Sequence, residues 1–244
     1  MLKKNLIALF CCSVFFSNAQ NNSNNSATKW QPKKWHRQDA GEFIFSSGNL
    51  KQKNNPDAAD NIVRFSMFFH FQNQFHYNFN KVMGFYTGIG VRNIGFIHEW
   101  KYGEEDLKMK HRSYSIGVPV AIKLGNFEKG VYGAFGAEAE LMFAYKRKLF
   151  YDGDKTKESE WFSDKVNLFN PSVFAEVRFK RGGYIRAKYY LMEFLTDKKD
   201  KFVLPGTNQE VEFTPGDNNL FSISIGSVLR SRLKKKTPAT RTDV

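Results

Sequence analysis

Cysteine is almost missing from this chain. Its two examples, Cys11 and Cys12, both fall within the first nineteen residues. Beyond them nothing can build a disulfide framework, a thiolate metal site or a cysteine nucleophile. Long apolar runs are missing too. After the N-terminal stretch no segment offers 18 consecutive apolar residues, so any passage through a membrane falls to strands. The five histidines, His36, His70, His76, His98 and His111, are scattered, and no pair has the i,i+4 spacing of a helical ligand set. The glycines of GIGVRNIG (88–95) have no helix after them to cradle a phosphate. Within a strand they relieve crowding in a wall or permit a bend. No metal, cofactor or nucleotide is therefore assigned. The net charge of +13 would suit nucleic acid, but the aromatics alternate with apolar residues and not with basic ones, so stacking has no platform. Anionic lipid or lipopolysaccharide is the partner that this charge suits better.

What is present begins with an export signal. Lys3 and Lys4 precede the apolar stretch 6–16, and Ser17, Asn18 and Ala19 form a small-residue cleavage site before Gln20. Bulky Phe10 ahead of Cys11 argues against a lipoprotein. The expected cut follows Ala19, and the remainder is long enough for one β domain. Residues 20–39 open with NNSNNS and read as a polar periplasmic lead-in, with Trp30 and Trp35 either docked on a rim or solvated.

From residue 40 to 230 the pattern is period two, the signature of strands. The clearest stretch is 131–151, VYGAFGAEAELMFAYKRKLFY. Val131, Phe135, Leu141, Phe143 and Tyr145 stand on one face, with Tyr132, Glu138, Glu140 and Lys146 on the other. Comparable segments are expected at 41–48, 61–76, 82–100, 110–124, 165–180, 184–195 and 220–230. In the segment 82–100 the apolar phase shifts near Asn93, since Ile94 and Phe96 are even-numbered while Phe85, Ile89 and Val91 are odd; a β-bulge is expected there. The connections alternate long and short: 49–60, 101–109, 152–164 and 196–219 are long and polar, whereas those near 78–81, 125–130 and 180–183 are tight.

Eight strands with that rhythm predict an all-β fold, an eight-stranded antiparallel transmembrane barrel of the up-and-down OmpA/OmpX kind, both termini periplasmic. A soluble eight-stranded barrel would reverse the faces. The polar face carries Arg64, Arg92, Lys123, Glu138, Glu140, Glu176, Arg178, Arg186 and Lys188. Mixed charges at mid-strand suit a narrow lumen filled by an ion-pair network, because eight strands leave an interior just wide enough for side chains. Aromatic residues make up 16% of the chain, enough for lipid-facing bulk and for a girdle in which Trp100, Tyr102, Tyr145, Tyr151 and Trp161 are expected.

The stretches GFYTGIGVRNIGF (84–96), RSYSIGVPVAIKLGNF (112–127), ELMFAYKRKLF (140–150) and NPSVFAEVRF (170–179), with the SNAQ signal ending, resemble the Bacteroidetes-type outer-membrane β-barrel proteins, a porin family also called PorT-like. The resemblance implies a fold and a location in the bacterial outer membrane but no catalytic site, and one member type assists protein secretion. The chain departs from many such barrels at its end, where a basic tail, 231–244, replaces a terminal aromatic residue and is expected to be disordered. That tail either binds an acidic partner or keeps the end soluble. A scaffolding role in the envelope as a monomeric barrel is the leading expectation, with envelope or secretion proteins as partners. The alternatives are a small-solute channel and a lipid A hydrolase. The last would use His111 and Ser113 with Glu99, but the strand phase turns His111 and Ser113 inward.

Overall fold

The computed structural model describes residues 33–50, 60–68 and 70–229. The expected signal, most of the lead-in and the basic tail lie outside the described residues. Every regular element described is a strand: β1 (Trp35–Gly48), β2 (Asp60–Ile62), β3 (Arg64–Ser66), β4 (Phe71–Asn78), β5 (Met83–Tyr102), β6 (Glu105–Asn126), β7 (Val131–Tyr151), β8 (Asp154–Trp161), β9 (Ser172–Arg178), β10 (Gly183–Glu193), β11 (Asp200–Val203), β12 (Glu210–Phe213) and β13 (Asn219–Leu229).

Eight of them form a ring in the order β1, β4, β5, β6, β7, β9, β10 and β13, each antiparallel to its neighbours. The ring closes where β13 pairs with β1, from Asp39↔Leu229 to Gly48↔Leu220. Closure leaves the ring itself with no edge strand. The expected eight-stranded barrel is the fold. It is turned inside out in its lower part: on β7, Phe135 is 68% exposed while Glu138 is 1% exposed. Outward rows such as Ile116, Val118, Val120, Ile122 and Leu124 on β6 are exposed as well.

Several boundaries differ from expectation. The strand expected at 41–48 begins at Trp35, because Trp35–Tyr77 and its neighbours pair with β4 across residues assigned to the lead-in. The strand expected at 61–76 is broken into β2, β3 and β4, with β2 on β5 and β3 on β1. The expected loop 101–109 shrinks to a two-residue turn at Gly103 and Glu104, so β5 and β6 rise well above the shorter wall strands. The loop 152–164 contains β8, entered by a tight turn with positive φ at Asp152 and Gly153, as hairpins favour. The excursion 196–219 contains the β11–β12 hairpin.

The expected bulge is also elsewhere. Pairing between β5 and β6 keeps one register from Met83↔Leu124 to Tyr102↔Glu105, with no shift at Asn93. The irregularity sits on β7, where Tyr114↔Ala144 is followed by Ser115↔Met142, leaving Phe143 extra. Tyr145 consequently turns inward, 1% exposed, and Lys146 turns outward, the reverse of the sequence expectation.

The interior has two halves. Toward the short turns it holds charged and polar side chains. Toward the long loops it holds a large apolar cluster that includes Ile44, Ile94, Phe96, Trp100, Met142 and Tyr145, completed by Phe202, Leu204, Val211 and Phe213 from the last excursion.

Candidate functional site

Five strands supply the charged half because their inward positions alternate with outward apolar residues. Glu42 stands on β1, Arg92 on β5, Glu138 and Glu140 on β7, Glu176 and Arg178 on β9, Arg186 and Lys188 on β10. Arg92 Nε donates to Glu42 at 2.8 Å, and its Nη1 also contacts Glu138. Lys188 Nζ bridges Glu138 and Glu140 at 2.6 Å each. Glu176 takes Arg178 at 2.8 Å and Arg186 at 2.6 Å. The Tyr184 hydroxyl donates to Glu42 at 3.2 Å, and Ser115 to Glu140 at 2.7 Å.

The cluster thus contains four cations and four carboxylates, all buried. Burying an ion costs several kcal/mol unless a partner and hydrogen bonds compensate, so equal numbers are what a closed, dry lumen demands. The wall makes room for it. Gly90 and Gly117 face each other across β5 and β6. A Cβ at Gly117 would fall on the Glu138 carboxylate, and one at Gly90 would press on the Arg92 guanidinium.

Two of the expected network residues do not join it. The Arg64 guanidinium donates to the Asn93 carbonyl at 3.1 Å and to Asn93 Oδ1 at 2.7 Å, and has no ion pair with the network's carboxylates among the described residues. Lys123 is interior but sits near the short turns, 3.2 Å from His76 Nδ1 and 4.7 Å above the Phe127 ring, with no carboxylate partner among the described residues. Glu42 is the member that sequence reasoning missed. It alternates correctly with Ile44 and Ser46, but a strand cut short at residue 41 gave it no weight.

Aromatic positions also differ. Trp100 and Tyr145, expected in a girdle, are buried in the apolar half, and Tyr102 and Tyr151 pack against it. Trp161 alone of the five stands bare, in an outward row with Phe143 and Tyr114 (ring centroids 5.9 and 6.3 Å).

The hydrolase candidates are not assembled. His111 Nδ1 lies 2.7 Å from the Tyr145 hydroxyl, and its ring stacks on His98. Ser113 donates to the Tyr114 carbonyl, and Glu99 is paired with Lys108. Above them, Arg147 ties β8 to β11 through Glu158 at 2.6 Å and through Asp200. Burial by itself would raise the Glu158 carboxyl, but the Lys165 hydrogen bond and the Arg147 charge outweigh it and hold the group below its ordinary range. A cleft of about 90 Å³ opens there among His111, Tyr145, Lys165, Asp200 and Phe213.

No protein-family model matches the chain, and no curated protein is similar to it in sequence. Solved structures are similar in fold. Ail, the attachment invasion locus protein of Yersinia pestis, is 14% identical over 80% of this chain and 98% of its own, with a TM-score of 0.37. Neisserial surface protein A is 11% identical over 82% and 100%, at 0.35. The outer membrane protein OprG from Pseudomonas aeruginosa is 12% identical over 81% and 97%, at 0.33. These likenesses are distant, and the class of the molecule stands on its own closed ring: an eight-stranded antiparallel barrel with an apolar outer belt and a charged interior.

Proposed function

We propose that the chain is a bacterial outer-membrane barrel with a closed lumen, acting through the surfaces it presents and not through chemistry or conduction. The observation that carries this reading is the filling of the interior, four compensated ion pairs' worth of charge below and an apolar plug above. The bare apolar belt supports the membrane setting, since soluble monomers rarely expose contiguous apolar patches beyond a few hundred Å². In this orientation the short turns and both termini face the periplasm, after cleavage at Ala19, and the long loops face outward. The resemblance to Bacteroidetes-type barrels favours a scaffolding role in the envelope, accessory to secretion, with the outward loops or the basic tail as contact surfaces. The test is conductance in a planar bilayer, on protein whose gel mobility shifts on boiling. Silent insertion is expected. Stable open-channel steps would replace this reading with that of a solute channel.

A further inference from the structure

The outer wall changes character along one strand. Down the outward face of β6 stand Lys108, Lys110 and Arg112, then Tyr114, then Ile116, Val118, Val120, Ile122 and Leu124. Successive outward residues are about 6.8 Å apart. That order, cation then aromatic then aliphatic, matches headgroup, interface and hydrocarbon of a bilayer leaflet.

The neighbouring strands repeat the cations at the same height. Pairing places Lys110 opposite Lys148, and Lys148 opposite Lys157, a row of three lysines across β6, β7 and β8. Arg112 lies opposite Lys146, and the row above continues with Lys108, Phe150 and Lys155. The charged neighbours of Lys148 are Lys155, Arg112, Lys157 and Lys146. Like charges directly opposite destabilise a sheet. The acids of β8 do not relieve them, because Glu158 and Glu160 turn inward to Arg147, Lys165 and Ser163 while Lys155 and Lys157 turn outward. Glu99, which faces the patch, is taken by Lys108 at 2.5 Å. Among the described residues Lys110, Arg112, Lys146, Lys148, Lys155 and Lys157 have no ion pair, and Arg112 Nε is buried without a hydrogen-bond partner.

We propose that this wall binds the phosphorylated headgroups of glycolipid in the leaflet at the long-loop end, with Lys110, Lys148, Lys157, Arg112 and Lys146 as the phosphate contacts. The occupant is a lipid and not free phosphate because the Arg112–Lys146 pair stands one outward step, and the lysine row two, above Tyr114, Phe143 and Trp161, where an acyl chain would run down the apolar belt. This rests on the membrane reading given above.

The test uses the full chain in phosphatidylcholine vesicles, following the temperature at which the unboiled gel species is lost. Diphosphorylated lipid A is expected to raise it, less so in high salt, whereas dephosphorylated lipid A and inorganic phosphate leave it unchanged. Lys110→Gln/Lys148→Gln/Lys157→Gln is expected to raise the half-saturating lipid A concentration about 100-fold, given roughly 1 kcal/mol per surface lysine. Should that variant not fold, Lys157→Gln on β8, outside the ring, is expected to give about 5-fold. Lys129→Gln/Arg181→Gln, at the opposite end, serves as the control and is expected to change nothing. Equal effects of inorganic phosphate, or unaltered affinity in the variants, overturn the lipid site while leaving the barrel intact. Absence of any heat-dependent shift without ligand overturns both.

Discussion

Strands β5 and β7 cross the same two environments and meet the change in opposite ways. On β5 the geometry is continuous: even residues point inward from Tyr86 to Trp100. The chemistry is what inverts. Below, the inward residues are Tyr86, Gly90 and Arg92, and the outward ones are Phe85, Ile89 and Val91. Above, Ile94, Phe96 and Trp100 point inward, while Glu99 and Lys101 point outward. On β7 the sequence pattern runs on unbroken, with odd residues apolar from Val131 to Tyr145 and Leu149. There the geometry inverts, because Phe143 is bulged and the inward set passes from Glu138, Glu140 and Met142 to Tyr145, Arg147 and Leu149. Both strands end with the same result. The barrel is inside out in its lower half and built like a soluble barrel in its upper half, with an apolar core inside and lysines outside. In the proposed membrane setting the reversal has a plain cause. A wall bathed in hydrocarbon must be apolar outside, whereas one that stands beyond the bilayer meets water outside and gains by burying its apolar residues within.

The largest expected effect lies in the charged half. Glu138→Ala leaves Arg92 and Lys188 undercompensated and should lower unfolding stability by about 3–5 kcal/mol, read from urea midpoints in detergent micelles. Arg92→Leu/Glu138→Leu should cost less than either single change, since removing both charges removes the penalty. In the apolar half, Phe96→Ala deletes a ring that meets Phe194, His98 and His111, and should cost about 3 kcal/mol. No second substitution of a charged partner should rescue it. Gly117→Ala puts a methyl against Glu138 and should cost about 2 kcal/mol, whereas Gly103→Ala, with open space around it, should cost only the strain of its positive φ. The smallest effect belongs to the wet rim. The hydrogen bond and charge of Lys198 hold the Asp164 carboxyl below its ordinary value. A depressed folded value gives a contribution that is present above the unfolded value and lost as pH falls through the folded one. Lys198→Ala should therefore raise the Asp164 pKa, followed by NMR, with no measurable change in global stability, because the pair is fully solvated.

The same comparison shows which features were legible in the sequence. Strand identity, the closed ring and the direction of Glu138, Glu176, Arg186 and Lys188 follow from alternation, because the lower half obeys one rule. Alternation reports where apolar residues sit but not where the wall points. The apparent phase change at Asn93 is a change of environment and not a bulge, while the true bulge at Phe143 is masked because two inversions cancel. Trp100 and Tyr145 lie near strand ends, where a girdle is expected, but position along a strand does not report that both point inward there. The apolar plug was not legible at all, since Phe202, Val211 and Phe213 come from an excursion whose polar neighbours dominate its composition. Arg64 follows the correct period but lies where the strand is interrupted, and its guanidinium is taken by Asn93 of β5.

The most direct test of the reversal is a single-cysteine scan of β7, from Tyr132 to Leu149, in a chain whose Cys11 and Cys12 are replaced by serine. An environment-sensitive fluorophore would be read in vesicles against brominated lipid and against aqueous iodide. Lipid quenching is expected at 135, 137, 139 and 141, shielding at 138, 140, 145 and 149, and iodide quenching at 146 and 148. Lipid quenching that continued through 145, or iodide quenching at 135 to 141, would contradict the account.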